Sequence, residues 1–362
     1  MFAALGEYLL FLGIVLGDIF LKILFLLLSP LITLYAKYGG EGNRAKRQHP
    51  LPRVPSGIFI TGASSGVGEA LAYEYCKRAR QRGVQGPVLY LTGRNAARLE
   101  QVCLRCRELG ASKVHALVLD VADATAMREA ITKADQEIPL DVVIANAGVS
   151  ITNTRVMELD KAGVTGYERS KALFDVNLYG VLYTIWPALD CMIQRNRGGQ
   201  IAINASIGSY IAEPMNMSYT ASKAAVRFYG ESLRTAMAPL GIRVNTMLLG
   251  FVESRMTESV KKKHGKLPFG KSAEEAATAL VNQLERDVGL IEYPAWPYGV
   301  LGEWLNGAPP LVREWIWSMV MGGFVHRALR KMKHPDSGDA TSTRDTNANE
   351  HSRLTRLIEK LI

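Results

Sequence analysis

Tyr219 and Lys223 stand four residues apart in SYTASKAA (218–225), which runs into the helical pattern AAVRFYGESLRTAM. Their side chains therefore share one helix face. A lysine ammonium beside a phenol favours the phenolate and draws its pKa down from about 10. A tyrosine tuned in this way can give a proton to a carbonyl oxygen or take one from an alcohol. Ser206, thirteen residues before Tyr219, follows the strand-like run GQIAINA and can hydrogen-bond the same oxygen. Asn177, in VNLYG, is a candidate to anchor a water beside Lys223. Singly these are also a turn residue, a core aromatic, a solvated helix charge and a helix cap; together, behind a glycine loop, they point to proton transfer.

The elements that must position them are legible from residue 57 onward. GIFITGASSGVG (57–68) is a short β-branched and aromatic run followed by glycines, and EALAYEYCKRARQ behind it is helical in pattern. In this strand, turn and helix, Gly62, Gly66 and Gly68 carry no side chain to hold the backbone off a pyrophosphate. Ser64, Ser65 and Val67 complete the loop, and the helix points its free N–H groups at the negative charge. The pattern repeats as strand 88–92, helix 95–109, strand 114–121, helix 124–136 and strand 140–148. Such alternation predicts an α/β fold, a Rossmann-type doubly wound parallel sheet covered on both faces.

The end of the second strand selects between the two nicotinamide dinucleotides. An acidic residue there would hold a free ribose 2′-hydroxyl and repel a phosphate. The chain has Thr92, Gly93 and Arg94. Without an acid, and with an arginine fork suited to phosphate, NADP(H) is the expected cofactor. A surface charge at a helix start is the alternative for Arg94.

TGASSGVG, LDV (119–121), NAG (146–148), VN-x-x-G (176–180), Ser206 with Tyr-x-x-x-Lys thirteen residues on, and LGFVES (249–254) occur in order. Across residues 57 to about 255 this set resembles the classical branch of the short-chain dehydrogenase/reductase superfamily. The resemblance implies Ser206, Tyr219 and Lys223 as a catalytic triad with Asn177 as fourth member, and Asp120 near the adenine. It implies that Asn146 and Gly148 shape the cofactor cleft, and that Val121, Ala147, Gly250 and Val252 contact the cofactor. The counterpart of Lys223 in the family also binds the nicotinamide ribose, and the nicotinamide delivers hydride to a carbonyl carbon. Asp120 has a second reading, since a strand-end aspartate often caps the next helix. Where the family usually has Pro-Gly, this chain has Leu249-Gly250. The family builds its substrate lid after that point, here from Phe251 to about Pro268, with Lys261, Lys262 and Lys263 in it.

The 43 basic against 34 acidic residues give a net charge of +9. Lys37, Arg44, Lys46, Arg47 and Arg53 cluster directly after an apolar stretch, as a membrane flank does, and no basic stripe with interleaved aromatics marks a nucleic-acid surface. Four cysteines are too few and scattered for a disulfide framework. Cys103 and Cys106 have metal-ligand spacing but no second pair, and they fall in a helical pattern, so no metal is expected.

From Tyr8 to Tyr35 the only charges are Asp18 and Lys22, one turn apart. A helix from Tyr8 to Ser29 would rise roughly 33 Å, enough for a hydrocarbon core of about 30 Å. A cleaved signal peptide fits poorly, because the head carries Glu7 rather than basic residues and no small-x-small site follows. The charge asymmetry places the main domain on the cytosolic side, with the endoplasmic reticulum the expected membrane. The predicted organisation is an anchor (1–38), a basic linker (39–56), one catalytic domain (57–288), an aromatic-rich helical extension (289–333), a disordered linker (334–352) and a short amphipathic helix (353–362). The extension holds four of the five tryptophans and fits covering the core, the substrate cleft or a bilayer surface. This architecture is similar to that of 11β-hydroxysteroid dehydrogenases and 3-ketosphinganine reductases. The expected substrate is a hydrophobic carbonyl compound, a sphingoid, acyl, steroid or retinoid ketone, and the expected assembly a homodimer or homotetramer.

Overall fold

The computed structural model describes residues 54–150, 166–213, 216–258, 261–262, 265, 267, 269–307 and 311–319, with positions 17, 20, 24, 27 and 28. The chain divides into two compact units, Met1–Gln48 and His49–Ile362. In the first, the described positions are helical and exposed, among them Phe20 and Leu27. The rest of the predicted anchor, most of the basic linker and everything predicted beyond 319 lie outside the described residues.

Seven strands in the second unit form one parallel sheet, in spatial order β3-β2-β1-β4-β5-β6-β7. They are β1 (Gly57–Ile60), β2 (Val88–Gly93), β3 (Lys113–Val118), β4 (Leu140–Ala145), β5 (Gly199–Asn204), β6 (Ile242–Leu249) and β7 (Leu290–Tyr293). Every residue of β1 is buried, as expected of a central strand covered on both faces. On one face pack α1 (Gly66–Gln81), α2 (Ala96–Glu108) and α7 (Ala273–Arg286). On the other pack α3 (Ala124–Glu137), the continuous helix of α4 (Gly166–Phe174), a π turn (Asp175–Tyr179) and α5 (Gly180–Arg195), and then α6 (Met217–Met237).

Local chemistry sets the helix starts. Asn95 caps α2 by accepting from Arg98 N, Asp123 caps α3 by accepting from Ala126 N, and Ser272 with Glu275 makes a capping box on α7. The run Gly166–Arg195 is long and apolar enough to cross a membrane. Val181, Ile185, Ala188, Leu189 and Met192 nevertheless bury one side of it against the sheet, so it is a core helix of the second unit. Cys103 and Cys106 are buried on α2, at ordinary helix positions.

Three boundaries differ from the sequence reading. β3 stops at Val118 rather than Val121, and β4 at Ala145 rather than Gly148, because the residues beyond them leave the ladder to line a cleft at the carboxyl edge of the sheet. The predicted domain end at 288 falls before a strand. Leu290–Tyr293 pairs in parallel with β6, so the sheet takes in the start of the presumed extension. Four residues running straight into a proline and aromatic stretch carry too little pattern to read as a strand.

The extension proper continues through a π turn (Ala295–Gly299), α8 (Val300–Gly307) and a helix over 311–319. It seats on the 3-10 turn Ile207–Tyr210. A Cβ at Gly302 would lie 2.7 Å from Tyr210 Cδ2, and one at Gly299 2.8 Å from Glu292 Oε2. Tyr210 Oη donates to Glu292 Oε1 at 2.7 Å, beneath the Arg227 guanidinium at 4.4 Å from the ring. The other side of the extension faces outward, with Trp296, Trp304, Leu311 and Trp315 exposed.

Candidate active site

The cleft opens where the chain reverses its direction of winding, between the carboxyl ends of β1 and β4, and its volume is about 620 Å³. Thr61 closes this point. Its hydroxyl oxygen accepts from Asn146 N and Ala147 N, both at 3.0 Å, and Asn146 Nδ2 donates to Thr61 O at 3.0 Å and Gly62 O at 3.3 Å. The glycine loop is pulled tight by these bonds. At Gly62 (φ 65°) a Cβ would meet Ala147 Cα at 2.8 Å, and at Gly68 it would meet Asn146 Nδ2 at 2.5 Å. A glycine cradle of this shape fits the backbone approach of a dinucleotide pyrophosphate. Gly62, Ser64, Ser65, Gly66 and Val67 line the cleft, while Gly68 packs behind it at the start of α1.

A polar ladder leads from this loop to the lysine. Asn204, at the end of β5, donates through Nδ2 to Asn146 Oδ1 at 2.9 Å, and Lys223 Nζ donates to the Asn204 carbonyl at 2.8 Å. Lys223 is buried, and burial lowers its pKa from 10.5 to about 8. Tyr219, on the same face of α6, lines the cleft and hydrogen-bonds Ser206. Its phenol stands above the ordinary 10.0, because burial raises it and the charge of Glu213 adds to that, against the Ser206 hydrogen bond. This reverses the direction expected from a neighbouring ammonium. The lysine proton is directed at a backbone carbonyl, and desolvation outweighs the Ser206 hydrogen bond at the phenol.

Ser206 opens the 3-10 turn. Its Oγ accepts from Gly208 N at 3.1 Å and can donate to Leu249 O at 3.3 Å. Asn177 sits in the π turn between α4 and α5 and does not reach the cleft wall. Its Oδ1 accepts from Val149 N at 2.8 Å, and its Nδ2 donates to Val149 O at 2.9 Å and Ser222 Oγ at 3.2 Å. The amide thus clamps the loop after β4, with Oδ1 and Lys223 Nζ both beside Gly148.

Asn146, Ala147 and Gly148 line the cleft beside the ladder, and Gly250 and Val252 line it from the segment after β6. At the far end stand Asp120, Val121 and Arg94. Asp120 Oδ1 accepts from Ala122 N at 3.1 Å, and Asp120 Oδ2 lies 3.9 Å from Arg94 Nη1. The helix cap belongs to Asp123, so the capping alternative for Asp120 does not hold. Two further arginines line this end, Arg98 from the first turn of α2 and Arg255 from the segment after β6. Arg98 Nε is buried without a hydrogen-bond partner, and burial together with the charge of Arg255 lowers its pKa. Asn204, Arg98, Arg255 and Glu213 were not singled out by the sequence. A polar residue closing the strand before Ser206 was the only signal for Asn204, and the others come together only in the fold.

Residues 56–265 match the short chain dehydrogenase family. The chain belongs to that family. As a short-chain dehydrogenase it is an oxidoreductase, of the kind that acts on CH–OH groups. It is 30% identical to 11-beta-hydroxysteroid dehydrogenase A of Sesamum indicum over 278 residues, covering 73% of this chain and 74% of that one. It is 32% identical to 11-beta-hydroxysteroid dehydrogenase 1A of Arabidopsis thaliana, covering 66% of this chain and 60% of that one. Human dehydrogenase/reductase SDR family member 7 is 35% identical over 208 residues, with 56% of this chain and 57% of that protein covered. Among solved structures, a short-chain type dehydrogenase/reductase from Mycobacterium marinum aligns with a TM-score of 0.56 at 25% identity, over 66% of this chain and 93% of that one. A short-chain dehydrogenase from Sphingobium yanoikuyae in complex with NADPH shares the fold, with a TM-score of 0.58 at 20% identity, over 81% and 100%.

Proposed function

We propose that this short-chain dehydrogenase reduces a hydrophobic ketone with NADPH at a membrane surface. The observation that carries the reading is the cleft with two unlike ends, Tyr219 and Lys223 at one and Arg94, Arg98 and Arg255 at the other. A guanidinium cluster of this kind suits the 2′-phosphate that distinguishes NADP(H). Gly62 to Gly68 would hold the pyrophosphate, Asp120 and Val121 the adenine side, and Asn146 to Gly148 with Gly250 and Val252 the remaining walls. A bound NADPH supplies hydride to the carbonyl carbon.

The chain's own residues do the rest. A phenol held above its usual pKa keeps its proton at neutral pH, so Tyr219 is poised to donate to the carbonyl oxygen rather than to accept from an alcohol. Ser206 holds that oxygen. Lys223, charged below about pH 8, stabilises the phenolate left behind. Asn177 and Asn204 position this set, the first through Val149 and Ser222, the second through Lys223 and Asn146.

The membrane half of the reading rests on the apolar segment 8–35, the basic residues that follow it, and the outward tryptophans of the C-terminal extension. It favours sphingoid or acyl ketones, with the catalytic unit on the cytosolic face of the endoplasmic reticulum. A hydroxysteroid is the second reading, favoured by the names of the sesame and Arabidopsis relatives. Exposed Tyr179, Trp186 and Ile193, seven residues apart along the π turn and α5, support self-association into a dimer or tetramer. The test is NADPH and NADH consumption by the detergent-solubilised chain against sphingoid, acyl, steroid and retinoid carbonyls. At least one should be reduced with NADPH favoured about tenfold or more in kcat/KM, the worth of roughly one charge-assisted hydrogen bond. Equal use of NADH, or no reduction across the panel, overturns the reading.

A further inference from the structure

Arg94 and Arg98 come from the nucleotide half of the sheet, but Arg255 does not. It is carried by the segment that leaves β6 toward the substrate side, and the structure fixes that segment against the glycine loop. A Cβ at Gly66, whose φ is 62°, would lie 3.1 Å from Ser254 Cβ, so the two strips of chain touch. The turn is tied internally and at its base. Thr257 Oγ1 accepts from Ser254 N at 3.0 Å and donates to Val252 O at 2.8 Å, while Glu253 N donates to Lys271 O at 2.8 Å and Lys271 N to Phe251 O at 3.1 Å. Arg255 is thereby presented to the cleft.

The acid on which Arg255 acts, exposed Glu258, is itself paired with Lys262. The acids flanking it in sequence are engaged elsewhere, Glu253 with Lys261 and Glu258 with Lys262, each at 2.7 Å. Across the cleft, Asp120 lies toward Arg94 at 3.9 Å, and Arg98 Nε is buried with no partner. Three guanidinium groups therefore line the cleft, two of them, Arg98 and Arg255, near enough to feel each other's charge, with Asp120 beside the third. Like charges so arranged repel, and a dianion between them turns the repulsion into attraction.

We propose that Arg255 is a specificity-determining residue that grips the 2′-phosphate of NADP(H) from the substrate side. The phosphate then pins the Val252–Thr257 turn, and the identity of the cofactor is transmitted to the start of the segment bordering the substrate. The inference rests on the NADP reading above and is separable from it.

Calorimetry on the full chain with 2′,5′-ADP and with 5′-AMP, which lacks the 2′-phosphate, reads both. Wild type is expected to bind 2′,5′-ADP at least about tenfold more tightly than 5′-AMP. Arg255→Ala should lose about tenfold for 2′,5′-ADP and stay within about twofold for 5′-AMP, the scale of one charge-assisted contact. Arg255→Lys should fall between. In hydrogen exchange, 2′,5′-ADP should slow the amides of Glu253 to Thr257 in wild type, whereas 5′-AMP, or either ligand on Arg255→Ala, should not. Wild-type selectivity that survives in Arg255→Ala, or protection of the turn that survives there, overturns this inference and leaves the NADP reading standing. Wild type without selectivity overturns both.

Discussion

At the Tyr219 end of the cleft, hydrogen bonds run from Lys223 to Asn204, from Asn204 to Asn146, and from Asn146 to the carbonyls of Thr61 and Gly62. At the Arg94 end, Arg98 Nε is buried unpartnered, and Arg94, Arg98 and Arg255 line the cleft with Asp120 beside Arg94. The first end is hydrogen-bonded along this chain by the protein itself, with only the acceptor Asn204 Oδ1 left buried and unpartnered in the ladder. The second is charged and under-satisfied, as the proposed grip on a cofactor phosphate requires. A group that must be aimed is built into the fold, whereas a group that must discriminate keeps capacity in reserve.

The comparison breaks most visibly at the reacting end. Tyr219→Phe removes the transferable proton and little else, so ketone reduction should fall about 10²- to 10⁴-fold in kcat, the range of a positioned general acid. NADPH affinity, followed by quenching of its fluorescence, should stay within about threefold, since the phenyl ring keeps its place (a tenfold loss would be about 1.4 kcal/mol). A smaller effect tests the preorganised framework. Thr61→Val keeps the shape and leaves Asn146 N and Ala147 N without their shared acceptor. Denaturant unfolding should show about 1–3 kcal/mol lost, with a reduced rate falling less than in Tyr219→Phe. A neutral outcome would mean that the framework is not what holds the reacting end.

The two ends were unequally legible in the sequence. Tyr219 and Lys223 share a helix turn, and Ser206 and Asn177 sit in short motifs, so local spacing exposed them. The glycine loop and the alternation of strands and helices exposed the sheet from β1 to β4 in the same way, and the run GQIAINA exposed β5. The arginine end is assembled from the end of β2, the first turn of α2 and the segment after β6, and only Arg94 carried a signal of its own. β7 was hidden because its four residues run into Pro294. The direction of the Tyr219 pKa was misread for a different reason. Spacing reveals the neighbouring lysine, but the burial that raises the phenol, and the turn of Lys223 toward the Asn204 carbonyl, belong to the folded state. The clamp made by Asn177 depends likewise on Val149, 28 positions away, which no local pattern reveals.

The central claim is that Tyr219 works as a proton donor backed by a lysine that titrates early. The pH profile of kcat/KM for ketone reduction tests it most directly. Lys223 is charged below about pH 8 and loses its proton above, a drop from 10.5 caused by burial, while the raised phenol stays protonated through that range. The rate should therefore be level up to about pH 8 and decline above it, approaching tenfold per pH unit. A rate that instead climbs through pH 8, as an ionised tyrosine acting as base would give, contradicts the account.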